Sequence, residues 1–292
     1  VNSANGAAVV VGVDGSEPAL RAVRLAAAEA ARRHRPLRVV HGFIWPLLHA
    51  AMNPVAEGPG GGLRRQAQEL VAAAVAEAEA TAPGVRASGE IIDGEASAVL
   101  VGESPTAAMI MLGDRGLGGF ASLVVGSVAI QVASYADCPV LVVRGEEHAA
   151  GPVVVGVDGS ALSRAAVEFA VEEAAVRGAG LHAVHAYPHP VSSGPGDMQP
   201  LVYEENQLRG EETRILAESL AGLTERYPEV PVTRAVVHGR PVAALTEASR
   251  RAQLLVVGSQ GRSELTGLLL GSVGHALLHH AACPVAVVRS PA

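Results

Sequence analysis

Two stretches of the chain carry one spacing of residue types that suits anion recognition. GDRGLGGFASLVVGS runs from Gly113 to Ser127, and GSQGRSELTGLLLGS runs from Gly258 to Ser272. Each reads glycine, two residues, glycine, nine residues, glycine, serine. Glycine lets the backbone approach a ligand with no side chain between them. The serine hydroxyl adds a donor. If the run ends on a helix start, unpaired amides and the positive end of the helix dipole add to the pull on an anion. Phosphate or nucleotide binding is the chemistry implied. It is not a Walker loop, because no lysine follows the last glycine. Four or five hydrogen bonds to a charged group at about 1.5–3 kcal/mol each, less the cost of association, reach the roughly 8.2 kcal/mol of a micromolar complex. The competing reading is that the glycines only shape turns, since glycine supplies 33 of 292 residues.

The spacing occurs twice because the chain is a tandem repeat. VVVGVDGS ends at Ser16 and again at Ser160, and CPVLVVR from Cys138 returns as CPVAVVR from Cys283. The joint falls near Gly145–Pro152, where polar residues are bounded by glycine and proline. Domains over 1–148 and 149–292 are expected, each long enough for its own core. Hydrophobic residues make up 49% of the chain and aromatics 3%. Cores of valine, leucine, isoleucine and alanine follow, as in buried parallel sheets covered by helices.

Within a half, strands and helices alternate. In the first half AAVVVGVD, LRVVHGF, VRASGEIID, AAMIMLG and CPVLVVR read as strands. Helices are expected from Ser16, from Arg64, over EASAVLVGES and from Ser127. The run from Trp45 to Gly62, rich in glycine and proline, reads as a long loop. The second half repeats the order with strands near PVVVGVD, LHAVHAY, PVTRAVV, QLLVVG and CPVAVVR. The fold class expected is α/β, a parallel sheet with helices on both faces in each half. A ligand then belongs in the crevice at the carboxyl ends of the strands, where the winding reverses. Gly113 and Gly258 end strands, and Gly126-Ser127 and Gly271-Ser272 open helices, so each motif lies at that end.

These residues also carry a resemblance. VGVDGS after the first strand, the glycine-serine spacing and CPVLVVR or CPVAVVR at the end of each repeat make the chain similar to the universal stress protein family in its tandem form. The resemblance covers nearly the whole chain. It implies two Rossmann-like domains of the adenine nucleotide α-hydrolase type, each a five-stranded parallel sheet flanked by helices. It implies ATP binding, with magnesium, at one site per repeat, because members with the glycine motif bind ATP. Carried over by motif, Asp14 and Asp158 lie at the adenine and ribose end, and Val40 and Val184 flank the adenine. Gly113, Gly116, Gly126 and Ser127 surround ribose and phosphates in the first half, and Gly258, Gly261, Gly271 and Ser272 do so in the second. Arg115 matches a position that can reach phosphate. Gln260 stands there in the second half, with Arg262 two residues on. The resemblance implies a nucleotide-dependent regulator of stress response or growth, acting on an unidentified protein partner. The alternatives are a slow ATPase or phosphotransferase, and a scaffold that binds no nucleotide.

Other residues have more than one reading. Asp14 and Asp158 either cap a DGS turn or face a ligand. Asp114, where the second half has Ser259, places a carboxylate beside the expected phosphates, so the first site is expected to bind ATP more weakly, or with more dependence on magnesium, than the second. His41 and His185 recur at a strand end, either to polarise a bound group or simply to close the strand. His275, His279 and His280 share a helix in the second half only, which points to surface rather than metal. Cys138 and Cys283 read as buried thiols. The last strand of each repeat is an apolar edge. Pairing of the two repeats through it as a pseudo-dimer is expected, with a homodimer of whole chains as a further option. No catalytic triad or acid–base pair can be assembled, so any ATP turnover is slow. Net charge is −7 with no basic run, which argues against nucleic acid. No apolar run is long enough for a membrane span. With no basic segment before the first apolar run, a cytoplasmic protein is expected.

Overall fold

The computed structural model describes residues 7–44, 59–116, 125–146, 148–188, 205–261 and 270–289. The chain divides into two compact units, Val1–Arg144 and Gly145–Ala292.

In unit 1, β1 (Val9–Gly12) is a run of buried valines ending in glycine. Ser16 then caps α1 (Glu17–Arg32), its hydroxyl accepting from the Ala19 amide, with Pro18 in the first turn. β2 (Leu37–Phe43) follows, then α2 (Pro59–Thr81), β3 (Ala87–Asp93), α3 (Ala96–Glu103), β4 (Met109–Gly113), α4 (Ser127–Tyr135) and β5 (Val140–Val143). The expected loop from Trp45 to Gly62 is shorter than its composition suggests. α2 already begins at Pro59. Proline is tolerated in the first turn, where its missing N–H has no intrahelical partner anyway. Residues 45–58 lie outside the described residues.

The strands pair in the order β3-β2-β1-β4-β5, all parallel. The chain winds one way from β1 to β3, returns past β1, and winds the other way through β4 and β5. Right-handed crossovers therefore put α1 and α2 on one face and α3 and α4 on the other. α1 packs on α2, and α3 on α4. Val9, Val10, Val11, Ile110, Met111 and Leu141 form the fully buried centre.

Unit 2 repeats the plan with β6 (Val153–Val157), α5 (Ala161–Arg177), β7 (Leu181–Tyr187), α6 (Glu205–Ser219), α7 (Leu223–Arg226), β8 (Val232–His238), α8 (Pro241–Ser249), β9 (Leu254–Gly258), α9 (Ser272–His280) and β10 (Val285–Val288). Its order is β10-β9-β6-β7-β8, again parallel, with the winding reversed between β6 and β9. Each unit is thus a Rossmann-like α/β domain. Among the described residues the short α7 has no counterpart in unit 1.

The cores hold a few polar groups. Glu29 on α1 and Glu173 on α5 are fully buried, each paired with an arginine one turn on, Arg33 at 2.6 Å and Arg177 at 2.8 Å. Cys138 and Cys283 are buried thiols. Burial pushes the Cys138 thiol up to about 12, so no reactive thiolate forms near neutral pH. A thiol-reactive chromophore at pH 8 should label neither cysteine in the folded protein and both in denaturant. Fast labelling of either before unfolding would contradict this packing.

Candidate functional site

The site is built at the winding reversal of each unit. Asp14 follows β1 and turns the chain into α1. Its Oδ1 accepts from the Ser16 amide at 3.0 Å, and Gly15 between them holds φ at +88°, a conformation that needs glycine. In unit 2 Asp158 Oδ1 accepts from the Ser160 amide at 2.9 Å and its hydroxyl at 2.7 Å, with Gly159 at φ +78°. The turn-capping reading of both aspartates is therefore seen through one carboxylate oxygen, Oδ1. The other lies against the glycine motif. A Cβ built on Gly116 would stand 2.2 Å from Asp14 Oδ2, and one on Gly261 would stand 2.7 Å from Asp158 Oδ2.

The motif glycines fall into two kinds. Gly113, at the end of β4, packs so tightly under α1 that a Cβ would sit 2.6 Å from the Pro18 carbonyl carbon. Gly113 and Gly116 are thus glycines because other atoms occupy the space. Gly126 and Gly271 differ. Each is the N-cap of its helix, α4 or α9, with φ of −72° and −67°, values open to any residue. A Cβ on Gly126 would meet nothing nearer than 3.7 Å, and on Gly271 nothing nearer than 3.4 Å. Neither helix has a side-chain cap, although serine, aspartate or asparagine would serve there. The first-turn amides of both helices are left open to an incoming acceptor. Ser127 and Ser272 head the helices and are exposed.

Backbone bonds draw the loop ends together. The Gly126 amide donates to the Asp114 carbonyl at 2.8 Å, and the Gly271 amide to the Ser259 carbonyl at 2.7 Å. The Ser16 hydroxyl lies 3.4 Å from the Arg115 carbonyl. In each unit the aspartate, the second motif glycine and the helix N-cap therefore border one space. The intervening residues 117–124 and 262–269, Arg262 among them, lie outside the described residues.

Charge separates the two sites. Asp114 is buried, with Arg21 Nη2 3.6 Å from its Oδ1 and Arg115 Nε 3.8 Å from its Oδ2. Two guanidinium groups thus face the Asp114 carboxylate. Arg21, a turn inside α1, had no motif to mark it. It shows only when the halves are aligned, as Ala165 and Ser259 stand where Arg21 and Asp114 do in unit 1.

Val40 and Val184 lie mid-strand in β2 and β7 rather than at the strand end, level with Gly12 and Gly156 of the neighbouring strand, and their side chains are 1% and 2% exposed. His41 and His185 each donate from Nδ1 to the carbonyl before the aspartate, Val13 at 2.7 Å and Val157 at 2.6 Å. In unit 2 Nε2 of His185 also meets Glu212 of α6 at 2.6 Å, a partner that sequence spacing did not mark. These histidines hold strand ends together. His275 and His279 lie with ring centroids 4.9 Å apart. Among the described residues no group of three or more histidine, cysteine or carboxylate side chains is arranged to hold a metal. No described helix is long and apolar enough to cross a membrane.

Two tandem Rossmann-like domains, each with its glycine motif at the winding reversal, define the class of protein. The chain belongs to the universal stress protein family, whose profile matches residues 7–144 and again 150–289. It is 40% identical over 297 residues to universal stress protein Rv2005c of Mycobacterium tuberculosis, covering 96% of each chain. It is 36% identical over 302 residues to a universal stress protein of Mycolicibacterium smegmatis, covering 99% of each. The crystal structure of a universal stress protein from Archaeoglobus fulgidus shares the fold, with a TM-score of 0.68, 21% identity, and coverage of 97% of this chain and 98% of that one.

The geometry makes Gly126 and Gly271 dispensable for folding. Gly126→Asp and Gly271→Asp should each leave unfolding free energy unchanged or raise it by a few tenths of a kcal/mol, because aspartate is a good N-cap. Urea denaturation measures this. A loss above about 1 kcal/mol would make these glycines structural after all.

Proposed function

We propose that each unit, taken as the domains 1–148 and 149–292, binds one adenine nucleotide as ATP, and that occupancy regulates a protein partner in stress response or growth control. The observation that carries this reading is the pair of unforced glycines, Gly126 and Gly271. Each keeps a helix N-terminus uncapped and uncrowded where the fold would accept a capping side chain. A triphosphate supplies the missing acceptors and suits the positive end of the helix.

Asp14 and Asp158 have one oxygen committed to their turns and lie beside the motif glycine, placed to accept from ribose hydroxyls or the adenine amino group. Gly113, Gly116, Gly258 and Gly261 allow the close approach of loop and turn. Amides and hydroxyls at Ser127 and Ser272 face the phosphates. Arg115, exposed in the first site, reaches toward them, while Gln260 offers a neutral donor in the second. Magnesium enters as the counter-ion of the triphosphate. The strand floor, with Val40 and Val184, underlies the base. Occupancy shifts the population of loop conformations and with it the surface offered to the partner. A cytoplasmic location, pairing of the repeats through their last strands and a homodimer of whole chains complete the reading.

The test is direct. Purified protein is denatured and adenine nucleotide released per chain is counted by chromatography, before and after loading with MgATP. About two per chain is expected after loading, falling to about one in Gly126→Asp and to one in Gly271→Asp, with a thermal shift on adding ATP. No nucleotide after loading and no thermal shift would overturn the proposal and favour a scaffold.

A further inference from the structure

Strand pairing leaves one edge of unit 1 open beside a groove. Among the described residues β3 pairs with β2 alone. The Leu37 amide donates to the Arg86 carbonyl, and the Gly94 amide to the Phe43 carbonyl. In a parallel ladder alternate residues face the partner strand, so the even-numbered residues of β3 bond to β2. The amides and carbonyls of Ala87, Gly89, Ile91 and Asp93 therefore point outward from the sheet. Gly89 and Ile91 edge a cavity of about 600 Å³ whose wall is α2. Val71, Ala72, Val75 and Ala76 line that wall, with Arg64 nearer the start of the helix and Glu79 nearer its end. Gly89 permits the close fit of helix on strand, since a Cβ there would collide with Val71 Cγ1.

Most charges around this groove are matched within the unit. Arg64 meets Asp93 at 3.2 Å, and Glu90 meets Arg38 at 2.6 Å. The Glu79 carboxylate is exposed and has no partner among the described residues. Unit 2 differs at the edge itself. Gly89 stands beside Val39 in β2, and Arg234 stands beside Ala183 in β7. β8 thus carries an exposed arginine where β3 carries glycine. A charged side chain on an edge strand discourages pairing, and β3 lacks one at that position.

We propose that the edge of β3 and the groove along α2 receive an extended segment of a partner protein as an added strand, and that the segment carries a lysine or arginine for Glu79. The assignment rests on the reading above that the protein acts on a partner. Outward amides and carbonyls of β3 supply the ladder bonds, and alternate side chains of the added strand fall against valine and alanine of α2. The basic character follows from the unmatched Glu79 and from the net charge of −7. The same helix touches the nucleotide end of the unit. A Cβ on Gly15 would stand 2.9 Å from Leu70 Cδ1, so Leu70 packs on the Asp14 turn, and the next residue, Val71, lines the groove. A nucleotide at that turn and a peptide in the groove bear on one helix.

The test titrates labelled heptapeptides, in which valine alternates with lysine, glutamate or threonine, into the full chain and reads fluorescence anisotropy. The lysine peptide should bind at least about tenfold more tightly than the glutamate peptide at low salt. N-methylation of every second amide in the lysine peptide, on the edge that faces β3, should abolish binding. Ala76→Arg, at an exposed helix position that suits arginine, should weaken binding about tenfold or more and leave thermal stability unchanged. Glu79→Lys should remove the preference for lysine over glutamate. MgATP should change the affinity of the lysine peptide. Equal affinity with and without bound nucleotide would overturn the coupling through α2 and keep the docking site. Peptide binding in a chain that takes up no nucleotide would overturn the nucleotide reading alone. No saturable binding of any peptide, or binding unmoved by Ala76→Arg, would overturn the docking site and leave the nucleotide count untouched. Self-association in light scattering that Ala76→Arg abolishes would overturn it in favour of a second copy of the chain.

Discussion

The contact of the Asp14 carboxylate with Gly116, repeated by Asp158 with Gly261, is the constraint on which the site depends. It joins two segments far apart in sequence, the turn after the first strand and the loop after the fourth. A parallel sheet whose winding reverses between those strands brings both segments to the same edge. Hydrogen bonds within each turn, and between the described ends of each loop, then hold carboxylate, motif glycine and helix end together. A site assembled beforehand loses less ordering entropy on binding.

That contact also sorts the motif into parts with different physical causes. Gly113 and Gly116 are demanded by atoms already in place. Gly15 and Gly159 are demanded by backbone conformation. Gly126 and Gly271 answer to neither, and both sit at the one place where a side chain would compete with an anion for helix amides. A motif regular expression treats these glycines alike. Local geometry separates the ones the fold requires from the ones it merely permits.

Much of this was legible in the sequence. The repeat, the alternation of valine-rich strands with alanine-rich helices and the strand-to-helix position of the glycines depend on local composition and spacing, which one chain displays directly. What stayed hidden depends on distant pairs. Glu29 and Glu173 look like exposed charges on a helix until packing buries them against Arg33 and Arg177. Glu212 meets His185 only because α6 lies across β7. Arg21 and Asp114 are 93 positions apart in the chain, and charge counting treated Asp114 as alone. α2 starts at Pro59, before its glycines end, because proline is tolerated in a first turn.

The divergence of the two repeats at these charges follows from burial. Asp114 is shielded from water and Arg21 is not. Losing the arginine first would leave a buried carboxylate with a weaker counter-charge, which is costly. Losing the aspartate first leaves a guanidinium that solvent already reaches, which costs little. In whichever direction the halves diverged, an arginine at the helix position is the tolerated intermediate, and an aspartate in the loop without it is the hindered one. The serine that stands in unit 2, itself buried, fits the same backbone bond, since its carbonyl accepts from Gly271 as that of Asp114 does from Gly126. That backbone bond thus withstands the exchange, and what changes between the repeats is the charge beside it.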